Sequence, residues 1–360
     1  MDSQSLRDPV ELIYDQRIRG ALLISVADQE SCHIHGGCWL AICGLRPARL
    51  MAAIPKEFAA AEMIERLGRF TVSVSSEQDF VWQGRFYRGD TSVVGDPALF
   101  VRSPDGAPVP LASVGYVDFT LLNARDLGDF LLVVGAARHG AVLNETGQNI
   151  TVNSIVAKSD PRADTETVLP YDAFPYDPER LAPAPADTSP LTDQDFLAVF
   201  GRRHFGLYLA STLADDQSHL MVSAWGIQVS HRPARMALAA RRESAVCDLW
   251  QKPGASVLIS LLSDQDEALV SEVADGGDPA VLTGLIARQP GLYSSQSAIA
   301  TFLGHVTERV DVGDTTIAVV SVDLAEDTLD QGANLMAEEV AEAAGPGGHL
   351  DPGTSHQVPA

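Results

Sequence analysis

The feature that most constrains this chain is that it repeats itself. W-x6-R-P-A-R occurs in "WLAICGLRPAR", residues 39–49, and again in "WGIQVSHRPAR", residues 225–235. The two copies stand 186 residues apart, and the same separation aligns Gly20 with Gly206, His33 with His219 and Gly68 with Gly254. It holds without a gap over about sixty residues. Further on, "NARDLGD" at 123–129 matches "ERVDVGD" at 308–314 at a separation of 185, so one net deletion lies between the two stretches. Stacked solenoid repeats have periods of about 20 to 50 residues. A period this long predicts instead two copies of a domain of about 140 residues, with one order of elements in both.

Inside each copy the pattern is mostly strand. "GALLISVA", "WLAICGL", "ARLMAAI", "FTVSVSS", "VDFTLLNA" and "DFLLVVGAARHG" are short apolar or alternating runs separated by Gly, Pro and Asp. The second copy offers "GLYLAST", "MVSAWGIQVS", "ARMALAA", "ASVLISLL", "ATFLGHVTERV" and "TTIAVVSVDL". Six strands per copy point to a small closed barrel. Apolar residues at helical spacing in "EFAAAEMIERLG" and "ESAVCDLWQKPG" predict one short inserted helix per copy, each closed by glycine. The expected fold class is therefore mainly β. The expected boundaries are a first barrel over 1–157, a Pro- and Asp-rich linker over 158–195, a second barrel over 196–344 and a disordered tail over 345–360.

Composition narrows the function classes. The chain has 360 residues, 46% of them hydrophobic and 20% charged, with a formal net charge of −23. Such a surface repels phosphate backbones and anionic lipid, so neither nucleic acid nor membrane is an expected partner. The N-terminus has neither a basic n-region nor an apolar h-region, and no run of eighteen apolar residues occurs, so a cytoplasmic location is expected. Four cysteines in this length do not make a disulfide framework. Cys32, Cys38 and Cys43 crowd with His33 and His35, but their spacing does not match a structural zinc hairpin, and no metal site is expected. On a strand, His33 and His35 would share one face and Cys32 would take the other.

"MVSAWGIQVSHRPARMALAARRES" resembles the signature of the flavin reductase-like split-barrel family. "VDFTLLNARDLGDFLLVVGAA" and "FLGHVTERVDVGDTTIAVVSV" are similar to its downstream segment. The resemblance covers nearly all of both copies, and implies two tandem Greek-key split barrels forming an intramolecular pseudo-dimer, with homodimers of chains as a further option. It also implies a noncovalent FMN, with FAD or a deazaflavin as alternatives. Ser223, Ala224 and Trp225 stand where the family places ring and ribityl contacts, and Val229 and Ser230 precede its paired prolines. Arg241, Arg242 and Ser244 stand at the phosphate end, where a basic loop entering a helix suits a dianion. Ala240 and Ala245 replace the family's asparagine and threonine.

The family's G-D-H histidine, near the nicotinamide side, is replaced by Phe130 and Thr315. His219 and His231 are the candidates for proton transfer, with His305 on a downstream strand. In the first copy the counterparts are Gly37, Cys38, Trp39 and Gly44, with Lys56 the lone cation and Pro55 lacking a donor. The repeated R-P-A-R has a plain structural reading as the marker of a strand start. On an extended strand Arg46 and Arg49, like Arg232 and Arg235, would face opposite sides.

Two functional classes follow. One is an FMN-dependent oxidoreductase, reducing flavin with NAD(P)H for a partner monooxygenase or acting on a small-molecule substrate. The other is a decayed duplicated barrel serving as a non-redox binding or assembly module.

Overall fold

A computed structural model describes residues 6–7, 22–37, 39–86, 90–147, 172–185, 191, 193–200, 206–274, 282–327 and 355–358. Cys38, most of the expected linker and most of the expected tail lie outside the described residues. The chain divides into two compact units, one spanning Arg19–His204 and the other Phe205–Ala360 together with Met1–Ile18.

The first unit contains β1 (Leu22–Ala27), β2 (Ser31–Gly37), β3 (Leu40–Leu45), β4 (Ala48–Pro55), β5 (Arg69–Val74), β6 (Gly115–Asp126) and β7 (Phe130–Val142). The second contains β8 (Tyr208–Ala214), β9 (Gln217–Ser223), β10 (Gly226–Ser230), β11 (Arg235–Arg241), β12 (Ser256–Leu261), β13 (Ala300–Val312) and β14 (Thr315–Asp327). The spatial order is β2-β1-β5-β6-β7-β4-β3 in the first and β9-β8-β12-β13-β14-β11-β10 in the second. One strand order is thus used twice, and every pairing within it is antiparallel.

That order dictates the shape of each sheet. β9 and β10 are the outermost strands of their run, yet only Ala224 and Trp225 separate them in sequence. A link of that length spans at most about 11 Å. Seven strands laid flat would hold their outer members about 29 Å apart. The sheet must therefore curl until its edges approach, and the same holds for β2 and β3. This is a barrel open along one seam, with seven strands in the run where six were expected. The extra strand is the one that "CHIHGG" forms in the first copy, and "MVSAWGIQVS" proves to be two strands rather than one.

Each barrel carries an inserted helix at the expected place. α1 (Ala59–Leu67) buries Ala60, Ala61, Met63 and Ile64. Gly68 closes it in the left-handed region at φ 65°, its N–H donating to Ile64 O at 2.8 Å. A second helix, α2 (Phe80–Phe86), follows in the first unit, and α3 (Asp193–Phe200) packs Phe196 and Phe200 on Phe119. In the second unit α4 (Ala245–Trp250) buries Val246, Cys247, Leu249 and Trp250 at the same spacing as α1, within the barrel core beside Met221, Leu238 and Ile259. Its C-cap is Gln251, not the expected glycine. Pro253 disfavours helical continuation at the residue before it, so α4 ends earlier, and Gly254 takes positive φ beyond it. The outer face of β8 and β9 is covered by α5 (Glu267–Ala274) through Leu269, Val270 and Val273. Among the described residues no helix is long and apolar enough to cross a membrane.

The R-P-A-R repeats are hairpin turns. Arg46–Pro47 joins β3 to β4, Arg232–Pro233 joins β10 to β11, and both peptide bonds are cis. Arg46 and Arg232 are exposed turn residues, so the expectation that each arginine pair sits on one strand is corrected: only Arg49 and Arg235 lie on strands. The expected linker is in part structured. Phe174–Pro175 pairs with β2, Phe174, Tyr176 and Leu181 enter an apolar cluster with Trp82 and Phe100, and the linker's last residues begin α3. Within the expected tail, Ser355–Val358 pairs with β9.

Four buried ionisable groups give the first unit a pH dependence. Asp118 lies beneath the hairpin of Phe100–Arg102 and Pro108–Pro110, accepting the Thr71 hydroxyl at 2.5 Å, with Asp105 close by and paired to Arg138. Burial, with the charge of Asp105, pushes Asp118 up to about 7, and burial pushes Asp79 up to about 6. Burial lowers His33 to about 4 and, with the charge of His33, lowers His35 to about 3. The folded state holds the aspartate protons more tightly than the unfolded chain, so their contribution is present below about pH 4 and lost as pH rises through 6 to 7. The histidines act oppositely, losing stability as pH falls from about 6.5 towards 3 to 4. Asp118→Asn should therefore gain on the native chain by on the order of 2 kcal/mol as pH rises from about 5 to 8. Denaturant unfolding at several pH values measures this, and a pH-independent difference between the two chains would reject it.

Candidate functional site

The link between β9 and β10 is held by a small hydrogen-bond lattice. Trp225 N–H donates to Ser223 Oγ at 2.9 Å, the Ser223 hydroxyl donates to Ala239 O at 3.4 Å, and Ala239 N–H donates to Trp225 O at 2.9 Å. Ser223 and Trp225 are buried and Ala224 is half-buried. At the far end of the same hairpin, buried Ser230 donates its hydroxyl to Pro233 O at 2.7 Å, and Val229 is buried beside it. Ser223 and Ser230 thus use their hydroxyls to fix the link and the turn. From Ser230, opposite Arg235, to Arg241 is six residues of strand, roughly 20 Å. Val229, Ser230 and Arg241 lie on the β10–β11 hairpin, with Ser223 to Trp225 just before it and Arg242 and Ser244 just after, so the link and the arginines share its open end while Ser230 stands at its turn.

The two histidines do not join them in one place. His219 is buried in the middle of β9, opposite Thr212 of β8, and His231 is half-buried in the β10–β11 turn. His305 is half-buried on β13 and bonds Asp323 at 2.9 Å. His33 and His35 share the face of β2 that meets Phe58, with ring centroids 5.9 and 4.4 Å away, while Cys32 lies in the cluster on the other face. Cys32, Cys43 and Cys247 are free and buried. Among the described residues no group of three or more His, Cys, Asp and Glu side chains is placed to hold a metal.

Arg241 ends β11 and Arg242 follows it, both exposed, before Ser244 caps α4 with extended backbone. Arg241 lies 3.9 Å from Glu243, and Arg242 lies 3.9 Å from Asp311. Asp311 is held by others: Arg309 donates to it through Nε at 2.9 Å and through a terminal nitrogen at 3.0 Å, and Thr316 through its hydroxyl at 2.8 Å. Burial alone would raise the Asp311 carboxyl. The hydrogen bonds of Thr316 and Arg309, with the charges of Arg309 and Arg242, hold it below the usual carboxylate range instead. Cys247 donates to Arg241 O, and burial keeps its thiol up at about 11, so it stays protonated at neutral pH. Arg309, Asp311 and Thr316 were not singled out from sequence, although Asp126 and Asp311 sit at matching places in the repeated "RDLGD" and "VDVGD".

The first unit fills the equivalent places. Phe58 stands where the second unit has Ser244, and its buried ring packs on His35. Trp39 meets Phe130 edge-on at 4.7 Å, where the second unit pairs Trp225 with the smaller Thr315 by position. Lys56 is in direct contact with Asp126 at 2.6 Å.

One sequence family model, described as "Flavin reductase like domain", matches residues 200–338. No curated protein matches the chain. Among solved structures, the NADH:FAD oxidoreductase of Streptomyces globisporus is similar at 16% identity and TM-score 0.35, over 42% of this chain and 93% of its own. The flavin reductase component of a bacterial two-component tryptophan halogenase gives 19%, 0.33, 39% and 88% for the same four quantities. The styrene monooxygenase flavin reductase of Pseudomonas putida S12 gives 19%, 0.31, 37% and 92%.

The link lattice is open to a direct check. Ser223→Ala removes both hydroxyl bonds and leaves the buried Trp225 N–H without its acceptor, so unfolding free energy should fall by about 1 to 3 kcal/mol. Chemical denaturation reads it, and an unchanged midpoint would show that the hydroxyl does not hold the link.

Proposed function

We propose that this chain, whose residues 200–338 match the flavin reductase like domain family, is a flavin-dependent oxidoreductase that holds FMN on its second unit, its phosphate against Arg241 and Arg242. The observation that carries the reading is local charge. In a chain of net charge −23, two adjacent exposed arginines sit beside the Ser244 cap, and Arg242 contacts its carboxylate neighbour only at 3.9 Å. A dianion is the ligand such a pair suits, and guanidinium forks bind phosphate oxygens through paired donors.

The rest of the donor set is compatible with a flavin. Most of the β10–β11 hairpin is buried, and its accessible part is the open end, where half-buried Ala224 and Gly226 stand with exposed Arg241. The 224–225 backbone, fixed by Ser223, is the part nearest the arginines. When bound, a flavin supplies hydride transfer, and the protein's share is to bind, orient and shield it. Arg241 and Arg242 would bind and orient, Trp225 would wall the site, and Thr315 would leave room that Phe130 closes in the first unit. His231, half-buried in the turn, is better exposed than His219 for moving a proton. The reading takes NAD(P)H as reductant and a flavin-dependent monooxygenase or a small molecule as recipient of the electrons, and leaves FAD or a deazaflavin as alternative cofactors.

The non-redox reading is favoured for the first unit by itself. Phe58 fills the position of the Ser244 cap, Trp39 is covered by Phe130, and Lys56 is engaged by Asp126. That unit then acts as a structural or assembly module.

Absorption spectra of the purified full-length chain, followed by titration with FMN, FAD and a deazaflavin, test the proposal. About one flavin per chain is expected; absence of flavin bands together with no micromolar binding of any of the three would reject it. Replacing Arg241 and Arg242 together with alanine should weaken FMN roughly 10- to 100-fold more than riboflavin, the worth of one or two charge-assisted hydrogen bonds. Equal losses for the two ligands would reject the phosphate role.

A further inference from the structure

We infer that Arg309 is a positioning residue: by occupying Asp311 it keeps Arg242 available to a ligand dianion. The inference rests on the phosphate site proposed above and is argued from a comparison the chain makes with itself. Lys56 and Arg242 are counterparts 186 apart, and Asp126 and Asp311 are counterparts 185 apart. Both cations have the same backbone setting. Lys56 N–H donates to Asp129 O at 2.9 Å and Arg242 N–H donates to Asp314 O at 2.7 Å, with Asp129 and Asp314 again 185 apart.

The side chains nevertheless behave differently. In the first unit the cation closes on the carboxylate at 2.6 Å; in the second it stands off at 3.9 Å with its side chain 58% exposed. Backbone placement does not account for this, because it is matched. The difference lies in who else serves the carboxylate. Asp311 is gripped by Arg309 through two nitrogens and by the Thr316 hydroxyl. The positions matching Arg309 and Thr316 in the first unit are Ala124 and Leu131, neither of which has a side-chain donor. Lys56 is then the available cation for Asp126 and is drawn in. A two-pronged guanidinium grip, part-buried, outcompetes a looser exposed pairing. Asp311 is thereby served by closer donors, and Arg242 is left 3.9 Å away with its side chain 58% exposed.

The test has two arms on the full-length chain. The first needs no flavin: a double-mutant cycle between Arg242→Gln and Asp311→Asn, read by denaturant unfolding, in the native background and in the Arg309→Ala background. Coupling should be under about 1.5-fold in the unfolding constant in the native background and rise to about 2- to 5-fold once Arg309 is gone, the range of an exposed ion pair. Coupling equal in both backgrounds overturns the inference. The second arm titrates FMN and riboflavin. Arg309→Ala should weaken FMN about fivefold and leave riboflavin unchanged, and adding Asp311→Asn to it should restore FMN binding. If the double variant stays weak, Arg309 contacts the phosphate itself and the positioning role fails. A native chain that binds no flavin would sink the proposed function, whereas the flavin-free cycle would still decide what Arg309 does to Arg242.

Discussion

Each barrel depends on a length mismatch. The outermost strands of a seven-stranded run are consecutive in sequence, and two residues cannot bridge the width of a flat sheet. Curling is therefore imposed by connectivity, not by any one side-chain contact. Once the sheet is curled, its inner face becomes a closed apolar space that α4 can enter with Val246, Leu249 and Trp250, and its outer face is covered by α5 and by the hairpin of Leu285–Gln289 and Leu292–Ser295 through Leu285 and Tyr293. The candidate site sits where the constraint is tightest, at the link and the hairpin that follows it. The hydrogen bonds among Ser223, Trp225 and Ala239 show how that crossing is accommodated: the backbone groups at the seam find partners locally because the ladder has ended.

Much of this was legible in sequence, for physical reasons. The 186-residue separation survives because barrel walls need apolar residues in a fixed register, so Leu50 and Met236 occupy matching strands. The inserted helices were readable because four apolar positions at helical spacing face the core in both copies. Hidden from such a reading was the break at Ala224–Trp225, since "MVSAWGIQVS" has no turn residue sharp enough to mark it. The placement of R-P-A-R in turns was hidden too, since the pattern is compatible with a strand start. The site was half-legible. Arg241 and Arg242 stand out as adjacent cations, but Arg309 and Asp311 belong to another hairpin, and which carboxylate answers which arginine is decided by three-dimensional competition.

The same competition explains how two copies of one backbone come to differ. Exchanging an arginine for an alanine at one position changes the company of a carboxylate, and with it whether a neighbouring cation closes to 2.6 Å or stands at 3.9 Å. Phe58 for Ser244 and Phe130 for Thr315 act in the same direction, by volume where the first acts by charge. The strand register at the site is nevertheless the same in both units: Phe130 faces Pro55 as Thr315 faces Arg241.

A barrel with a seam keeps two open strand edges, and an open edge invites another chain to add to it. In both units the β2 or β9 edge receives a short strand from the segment that follows the core, Phe174–Pro175 in the first and Ser355–Val358 in the second. The expected linker and tail thus share one physical duty, as covers over backbone donors and acceptors that would otherwise template aggregation. Without residues 355–358 the outer edge of β9 would offer its backbone groups at Ser218 to Met221 to another strand.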